Sequence, residues 1–138
     1  MYMIESFDFL FEIEQSLYKT RLISNTSLKD VSLKGDGLHI VVMYRIEKHK
    51  NYHITSLLKY AKILNRKIFA DNILIDSVET LGELLKSKRL EAGLSLFKAS
   101  SMSGIIPKSI IKIERGREYT KSTLVKYISI FPINFTIK

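Results

Sequence analysis

The chain has 138 residues, no cysteine and a formal net charge of +8, from 22 basic and 14 acidic side chains. The lack of cysteine excludes a disulfide framework and a thiolate metal site, and no apolar run approaches the roughly 18 residues of a membrane-spanning helix. The N-terminal stretch is acidic and lacks the pattern of a signal peptide, so we expect a cytoplasmic protein without a membrane partner. The basic excess favours a polyanion such as nucleic acid as the partner.

The sequence contains an internal repeat. Residues 44–64 align with residues 111–131 at an offset of 67 positions, and further toward the N-terminus the offset becomes 68. The change falls at Gly35-Asp36-Gly37, which we interpret as a one-residue insertion in a turn. A repeat of this length predicts two domains of similar plan. The aligned identities include Arg21 with Arg89, Glu47 with Glu114, Tyr52 with Tyr119 and Tyr60 with Tyr127.

Apolar spacing predicts four helices in the first copy. They cover Phe9 to Ile23, a short second helix capped by Ser27, Leu38 to Lys48, and Thr55 to Leu64. The following segment RKIFADNILIDS and the tail INFTIK of the second copy alternate as short strands do. We assign 1–70 to a first domain and 71–77 to a linker. Because the eight residues 70–77 reach at most roughly 27 Å when fully extended, the two domains should lie close together.

The second copy, 78–138, shows the same plan with clearer helix boundaries. The predicted helices cover Val78 to Leu90, Leu96 to about Ser101, Pro107 to Arg115, and Thr123 to Phe131, with a turn at Met102-Ser103-Gly104. Gly93 follows the first helix as a C-terminal glycine does, and Ser95 is a suitable N-cap for the second. Pro107 suits the first turn of the third helix, and Gly116 is expected to end that helix. Thr120 or Ser122 is the candidate cap of the last.

These boundary residues also carry a family resemblance. The matching positions are Lys88-Arg89, Gly93-Leu94-Ser95, Ala99, Ser103-Gly104-Ile105 and Ile113-Glu114-Arg115-Gly116. With them, residues 80–131 resemble the lambda-repressor-like (Xre/Cro) helix-turn-helix family. The first copy matches more weakly over 13–64, with Asn25 and His49 where the second copy has glycines. The resemblance implies an all-α fold of two tandem helix-turn-helix domains, and a regulator of transcription, repressor-like, that binds double-stranded DNA.

The third helix of the second copy is the candidate DNA-contacting element. A helix projected outward by a glycine turn fits the major groove of B-DNA. Ile110 and Ile113 should face the core, whereas Lys108 and Lys112, four residues apart, share the opposite face. The candidates for base and nearby phosphate contacts are Pro107, Lys108, Ser109, Ile111 and Lys112. Just past the helix, Arg115 and Arg117 are candidates for phosphate contacts that do not depend on sequence.

The third helix of the first copy, in HIVVMYRIE, is more apolar. If Met43 and Ile46 are buried, then Ile40, Val41 and Tyr44 point outward. Two interpretations stay open at this stage: this face contacts thymine methyl groups, or it is a protein interface. The DNA-contact candidates of this copy are His39, Val41, Arg45, Lys48 and Lys50.

Other recurring residues are assigned to the scaffold. The resemblance implies that Arg89 pairs with Glu114, and Arg21 with Glu47, each bridging a first and a third helix. The paired tyrosines are more typical of core anchors than of base stacking. The family often has a phosphate-binding glutamine at the start of the second helix, where both copies have leucine, so that contact is not expected.

No catalytic, metal or cofactor site is expected. The three histidines have no ligand partners at a recognisable spacing, and no nucleophile, phosphate loop or carboxylate pair is evident. One chain spanning two adjacent DNA sites, and a homodimer formed through the first domain, are both compatible with the repeat. The alternative functions are a helix-turn-helix scaffold reused to bind a protein, as in an antitoxin or nuclease inhibitor, and a nonspecific nucleoid or RNA-binding protein.

Overall fold

The computed structural model describes residues 3–34 and 37–138, with side chains from Leu10 onward, and it is mainly helical. The elements are α1 Met3–Ile23, α2 Leu28–Lys34, α3 Ile40–Glu47, α4 Ile54–Ile63, β1 Ile68–Ala70, β2 Ile73–Ile75, α5 Val78–Glu91, α6 Leu96–Ser103, α7 Pro107–Glu114, α8 Lys121–Ile128 and β3 Phe135–Ile137. No helix of the described ranges combines the length and the apolarity needed to cross a membrane. Of the predicted insertion at 35–37, Gly35 and Asp36 lie outside the described residues.

In the second copy, the residues that predicted the helix ends lie at helix ends in the structure. The Ser95 hydroxyl accepts a hydrogen bond from the Lys98 amide, and Pro107 occupies the first turn of α7. Gly93 and Gly116 have φ of +69° and +74°, values that a residue without a side chain adopts at little cost. α6 continues two residues past the predicted Ser101, because the first residue to leave the helical conformation is Gly104, with φ +78°.

Four other helix ends differ from the sequence expectation. α1 begins six residues before Phe9, and α3 begins two residues after Leu38. α8 starts at Lys121 rather than Thr123, because Thr120, one of the two candidate caps, is its N-cap residue, although its side chain makes no cap bond. It ends at Ile128 rather than Phe131, since Ile130 and Phe131 donate only three residues back, in a tightened last turn.

The segment predicted as a linker, 71–77, contains β2. Asp71 and Asn72 join β1 to β2 with φ of +49° and +67°, the two positive values of a type I′ hairpin turn. β1 pairs on its other side with β3, in a three-stranded antiparallel sheet of order β2-β1-β3. The strands expected after each copy therefore form, and they join the two copies in one sheet.

A pseudo-twofold axis relates the two copies. The Ile54 amide donates to the Tyr119 carbonyl at 2.9 Å, and the Lys121 amide donates to the Tyr52 carbonyl at 2.8 Å. These two bonds are equivalent at the offset of 67, and they flank an antiparallel bridge between His53 and its equivalent Thr120. Reciprocal bonds between equivalent residues are what a twofold interface produces. The repeats associate as two protomers of a homodimer do, within one chain.

The pairing of β1 with β3 shows the same pseudo-twofold symmetry. β1 and β3 are equivalent segments at the offset of 67, and they pair antiparallel about the central pair Phe69 and Thr136. Bonds on either side extend this exchange. Lys67 and Lys138 exchange two backbone bonds, and the Asp71 amide donates to the Asn134 carbonyl while the Asn134 amide donates to the Asp71 carboxylate. α1 of the first copy packs against β3 and α8 of the second. The buried apolar residues of both copies thus form a single core.

Candidate nucleic-acid interface

The outward face of α7 forms a basic groove. It is a shallow depression of about 470 Å³, and the residues that line it are Lys108, Ser109, Ile111, Lys112, Arg115 and Arg117. We call this surface the α7 groove. It brings together every DNA-contact candidate of the second copy except Pro107, which lies half-buried at the N-terminus of the helix. Four of the six lining side chains carry a positive charge, and all four are exposed.

The inward face of α7 packs against the core and against α5, which fixes the orientation of the α7 groove. Ile110 and Ile113 are fully buried. On the same side, α7 approaches α5 at Gly82, where an added Cβ atom would lie 2.5 Å from the Ile113 carbonyl oxygen and 2.8 Å from that of Glu114. Such distances exclude any larger residue without a shift of the helices. The orientation of the exposed lysines therefore follows from close packing on the opposite side of the helix.

An ion pair ties α7 to α5. The Arg89 guanidinium binds the Glu114 carboxylate in a bidentate manner, with Nε to Oε2 at 2.7 Å and Nη2 to Oε1 at 3.0 Å. Its third nitrogen donates to the Leu94 carbonyl at 2.9 Å, and the buried Tyr127 hydroxyl donates to the same carboxylate. Burial, and next this hydrogen bond, raise the pKa of Tyr127. The carboxylate is therefore matched by donors from both α5 and α8.

The first copy contains the same ion pair. Arg21 binds Glu47 at 2.7 and 2.8 Å, donates to the Thr26 carbonyl at 2.9 Å, and shares the carboxylate with the Tyr60 hydroxyl. The hydrogen bond to Glu47 raises the pKa of Arg21. α3 is therefore attached to α1 as α7 is to α5, so the third helix has an equivalent position in each copy.

The outward face of α3 is apolar at its N-terminal end. Met43 and Ile46 are fully buried, and the side chains opposite them are exposed: Ile40 by 43%, Val41 by 67% and Tyr44 by 48%. We call Ile40, Val41 and Tyr44 the α3 apolar face. The equivalent positions on α7 hold Pro107, Lys108 and Ile111.

The basic candidates of the first copy lie around this face rather than in one groove. His39 is the N-cap residue of α3 and makes no side-chain cap bond. Arg45 donates from Nε to the Asn51 carbonyl at 2.8 Å, which anchors the segment after α3. The Lys48 ammonium lies 5.6 Å from the centre of the Tyr44 ring, and Lys50 is exposed two residues further on.

A polar cluster lies on one side of the pseudo-twofold axis, and sequence analysis did not identify it. It consists of Glu14, His49, Tyr52 and Lys121. The Glu14 carboxylate, fully buried, lies 2.8 Å from the Lys121 ammonium and 2.7 Å from His49 Nδ1, and accepts a bond from the Tyr52 hydroxyl. Burial, and next the charge of Glu14, raise the pKa of Tyr52.

The equivalent place on the other side of the axis is apolar. Gly82 stands where the first copy has Glu14, and Ile54 stands where the second copy has Lys121. Here the buried Tyr119 hydroxyl has no hydrogen-bond partner among the described residues. The only sequence signal for the polar cluster was that Glu14 and Lys121 lie at positions where the repeats differ in charge.

Comparisons of the chain with protein-family models, with curated proteins and with solved structures found no match.

Proposed function

We propose that this protein binds double-stranded DNA sequence-specifically as a helix-turn-helix protein, that α7 is its recognition helix, and that it regulates transcription. One observation carries the proposal. The exposed face of α7 gathers four cations into the α7 groove, while the opposite face is fixed by buried isoleucines, a bidentate ion pair and a close approach to α5. A rigid helix with long cationic donors on its outer face is suited to the major groove.

The positions of the charges divide them into two roles. Lys108 and Lys112 lie one helical turn apart on α7, within reach of base edges such as guanine O6 and N7. Arg115 and Arg117 follow the end of α7, where a helix lying in the groove passes the phosphate backbone. The first pair would supply sequence preference, and the second would supply affinity that depends on salt.

The test is selection from a randomised duplex library at roughly physiological salt. We expect the wild-type protein to enrich a defined sequence, and the Lys108→Ala/Lys112→Ala variant to lose the preference in one part of it. Loss of a good base contact costs about 1–3 kcal/mol of discrimination, which corresponds to roughly 5- to 150-fold in relative affinity.

A charge-matched control separates base contacts from net charge. Lys86→Ala/Lys126→Ala also removes two positive charges, from exposed positions on α5 and α8 that do not line the α7 groove. This control should keep the wild-type motif. Weak and unselective binding by the wild-type protein, or equal loss in the two double variants, would contradict the proposal.

A further inference from the structure

We propose that α3 is a second recognition helix, which contacts thymine methyl groups, so that one chain binds an asymmetric DNA site as a monomer. The inference rests on the proposed function of α7 and extends it. In this arrangement α7 contacts one half of the site, and the α3 apolar face contacts a thymine-containing half.

The pseudo-twofold axis places α3 where a second recognition helix belongs. The segments that follow α3 and α7 meet at the axis, through the reciprocal bonds between the backbones of 52–54 and 119–121. The C-terminal ends of the two helices therefore flank the axis. A twofold pair of recognition helices is the arrangement that presents two elements to successive stretches of a major groove.

The surface of α3 is complementary to the phosphate backbone at one end and to thymine at the other. Arg45, Lys48 and Lys50 stand where α7 and its following segment have Lys112, Arg115 and Arg117, so the basic C-terminal region is kept. At the N-terminal end, Val41 replaces Lys108 and is 67% exposed. An aliphatic side chain has no donor for a base edge, and the thymine methyl is the apolar group that the major groove offers.

The contact between the two copies favours pairing of unlike copies within one chain. If the second copies of two chains paired instead, Lys121 would be buried against Gly82 without a carboxylate. If two first copies paired, Glu14 would be buried against Ile54 without an ammonium. A buried charge without its partner costs several kcal/mol. Pairing of unlike copies is therefore favoured, and it presents unlike helices, α3 and α7, to the DNA.

The size of the chain sets the spacing of the two halves. A compact chain of 138 residues has a radius of gyration of about 14 Å, which corresponds to a body roughly 40 Å across. It spans one helical turn of DNA, about 34 Å, but not two. The two halves of the site should therefore lie about 10 bp apart, centre to centre.

The experiment replaces thymine by uracil in the selected duplex, which removes only the methyl group. The half whose preference changes in Lys108→Ala/Lys112→Ala is assigned to α7, and the other half to α3. We expect each uracil at a contacted position of the α3 half to weaken wild-type binding about fourfold, from the burial of one methyl group. In Val41→Ala the same replacement should have a much smaller effect, and binding should stay at one chain per duplex.

The control variant is Leu33→Ala, at an aliphatic side chain of α2 that is 77% exposed and lies outside the α3 apolar face. It should respond to uracil as the wild type does. A selected motif confined to the α7 half, a symmetric motif bound by two chains, or a uracil effect unchanged in Val41→Ala would overturn the inference while leaving the role of α7 intact. In these cases the α3 apolar face would be assigned to a protein partner. Absence of any selected motif would overturn both proposals.

Discussion

At the scale of single residues, two tyrosines at equivalent positions beside the pseudo-twofold axis differ in the hydrogen bonding of their buried hydroxyls. Tyr52 and Tyr119 are both 5% exposed, and each has its backbone carbonyl in the same reciprocal bond. The Tyr52 hydroxyl donates to Glu14, whereas the Tyr119 hydroxyl is buried without a partner among the described residues. Burial raises the pKa of Tyr119 because ionisation would place a charge in an apolar site.

We predict that Tyr119→Phe and Tyr52→Phe change stability in opposite directions. Removing a buried hydroxyl without a partner relieves its desolvation cost, so Tyr119→Phe should raise the free energy of unfolding by about 1 kcal/mol. Tyr52→Phe removes a donor from a buried carboxylate and should lower it by about 1–3 kcal/mol. Urea unfolding of the two variants, which differ from wild type by one oxygen each, gives the comparison. A loss of stability in Tyr119→Phe equal to that in Tyr52→Phe would contradict the assigned environments.

At the scale of elements, each copy is organised by the attachment of its third helix to its first. The Arg89 and Glu114 side chains, 8% and 6% exposed, connect α5 to α7, and Arg21 and Glu47 connect α1 to α3. A buried pair of this kind fixes geometry more reliably than it stabilises, because desolvation offsets much of the attraction. Its loss is nevertheless costly, since one charge is left buried.

We predict that Glu114→Ala lowers the melting temperature markedly, because it leaves the Arg89 guanidinium and the Tyr127 hydroxyl without their acceptor. The expected loss is about 3–5 kcal/mol in the free energy of unfolding. Thermal unfolding followed by circular dichroism measures it. Glu83→Ala, at an exposed position of α5, is the control and should change stability by less than about 0.5 kcal/mol. A melting curve unchanged in Glu114→Ala would remove this pair from the scaffold.

At the scale of the whole molecule, the two copies form one structural unit. β1 and β3 share a sheet, the Asn51 side chain accepts a bond from the Ser122 amide at 2.9 Å, and Lys88 pairs with Asp71 at 2.6 Å. The buried Glu14 and Lys121 pair joins α1 to α8, across 107 positions of the sequence. Because the core is shared, unfolding of one copy exposes the core of the other.

We therefore predict a single cooperative unfolding transition, with equal calorimetric and van't Hoff enthalpies. Two separate transitions would indicate copies that fold independently.

We also predict strong coupling between Glu14 and Lys121. Lys121→Met should cost about 3–5 kcal/mol, because it leaves the carboxylate buried without its cation, and adding Glu14→Gln should recover most of that loss. Additive effects of the two substitutions would show that Glu14 and Lys121 do not interact in the folded protein.

Part of this structure was predictable because its causes are local. The period of the apolar residues identified Met43, Ile46, Ile110 and Ile113 as buried, and all four are. Ser95, Pro107 and Gly116 marked the ends of α6 and α7 because caps act within one helical turn. At the start of α1, where no cap was identified, and at the end of α8, where only Pro132 marked a limit, the predicted bounds were wrong by six and three residues.

The sequence by itself determined the repeat and which side chains of α3 and α7 point outward. It also determined that the segments after α4 and α8 tend to be extended. The last two features depend only on the spacing of apolar residues over a few positions. Only the tertiary structure decided how the copies meet. The β1 and β3 pairing, the reciprocal bonds at the axis and the burial of Glu14 against Lys121 join residues more than 60 positions apart. Nothing in the neighbouring sequence specifies such a partner, because it is selected by complementary shape and charge in the folded chain as a whole.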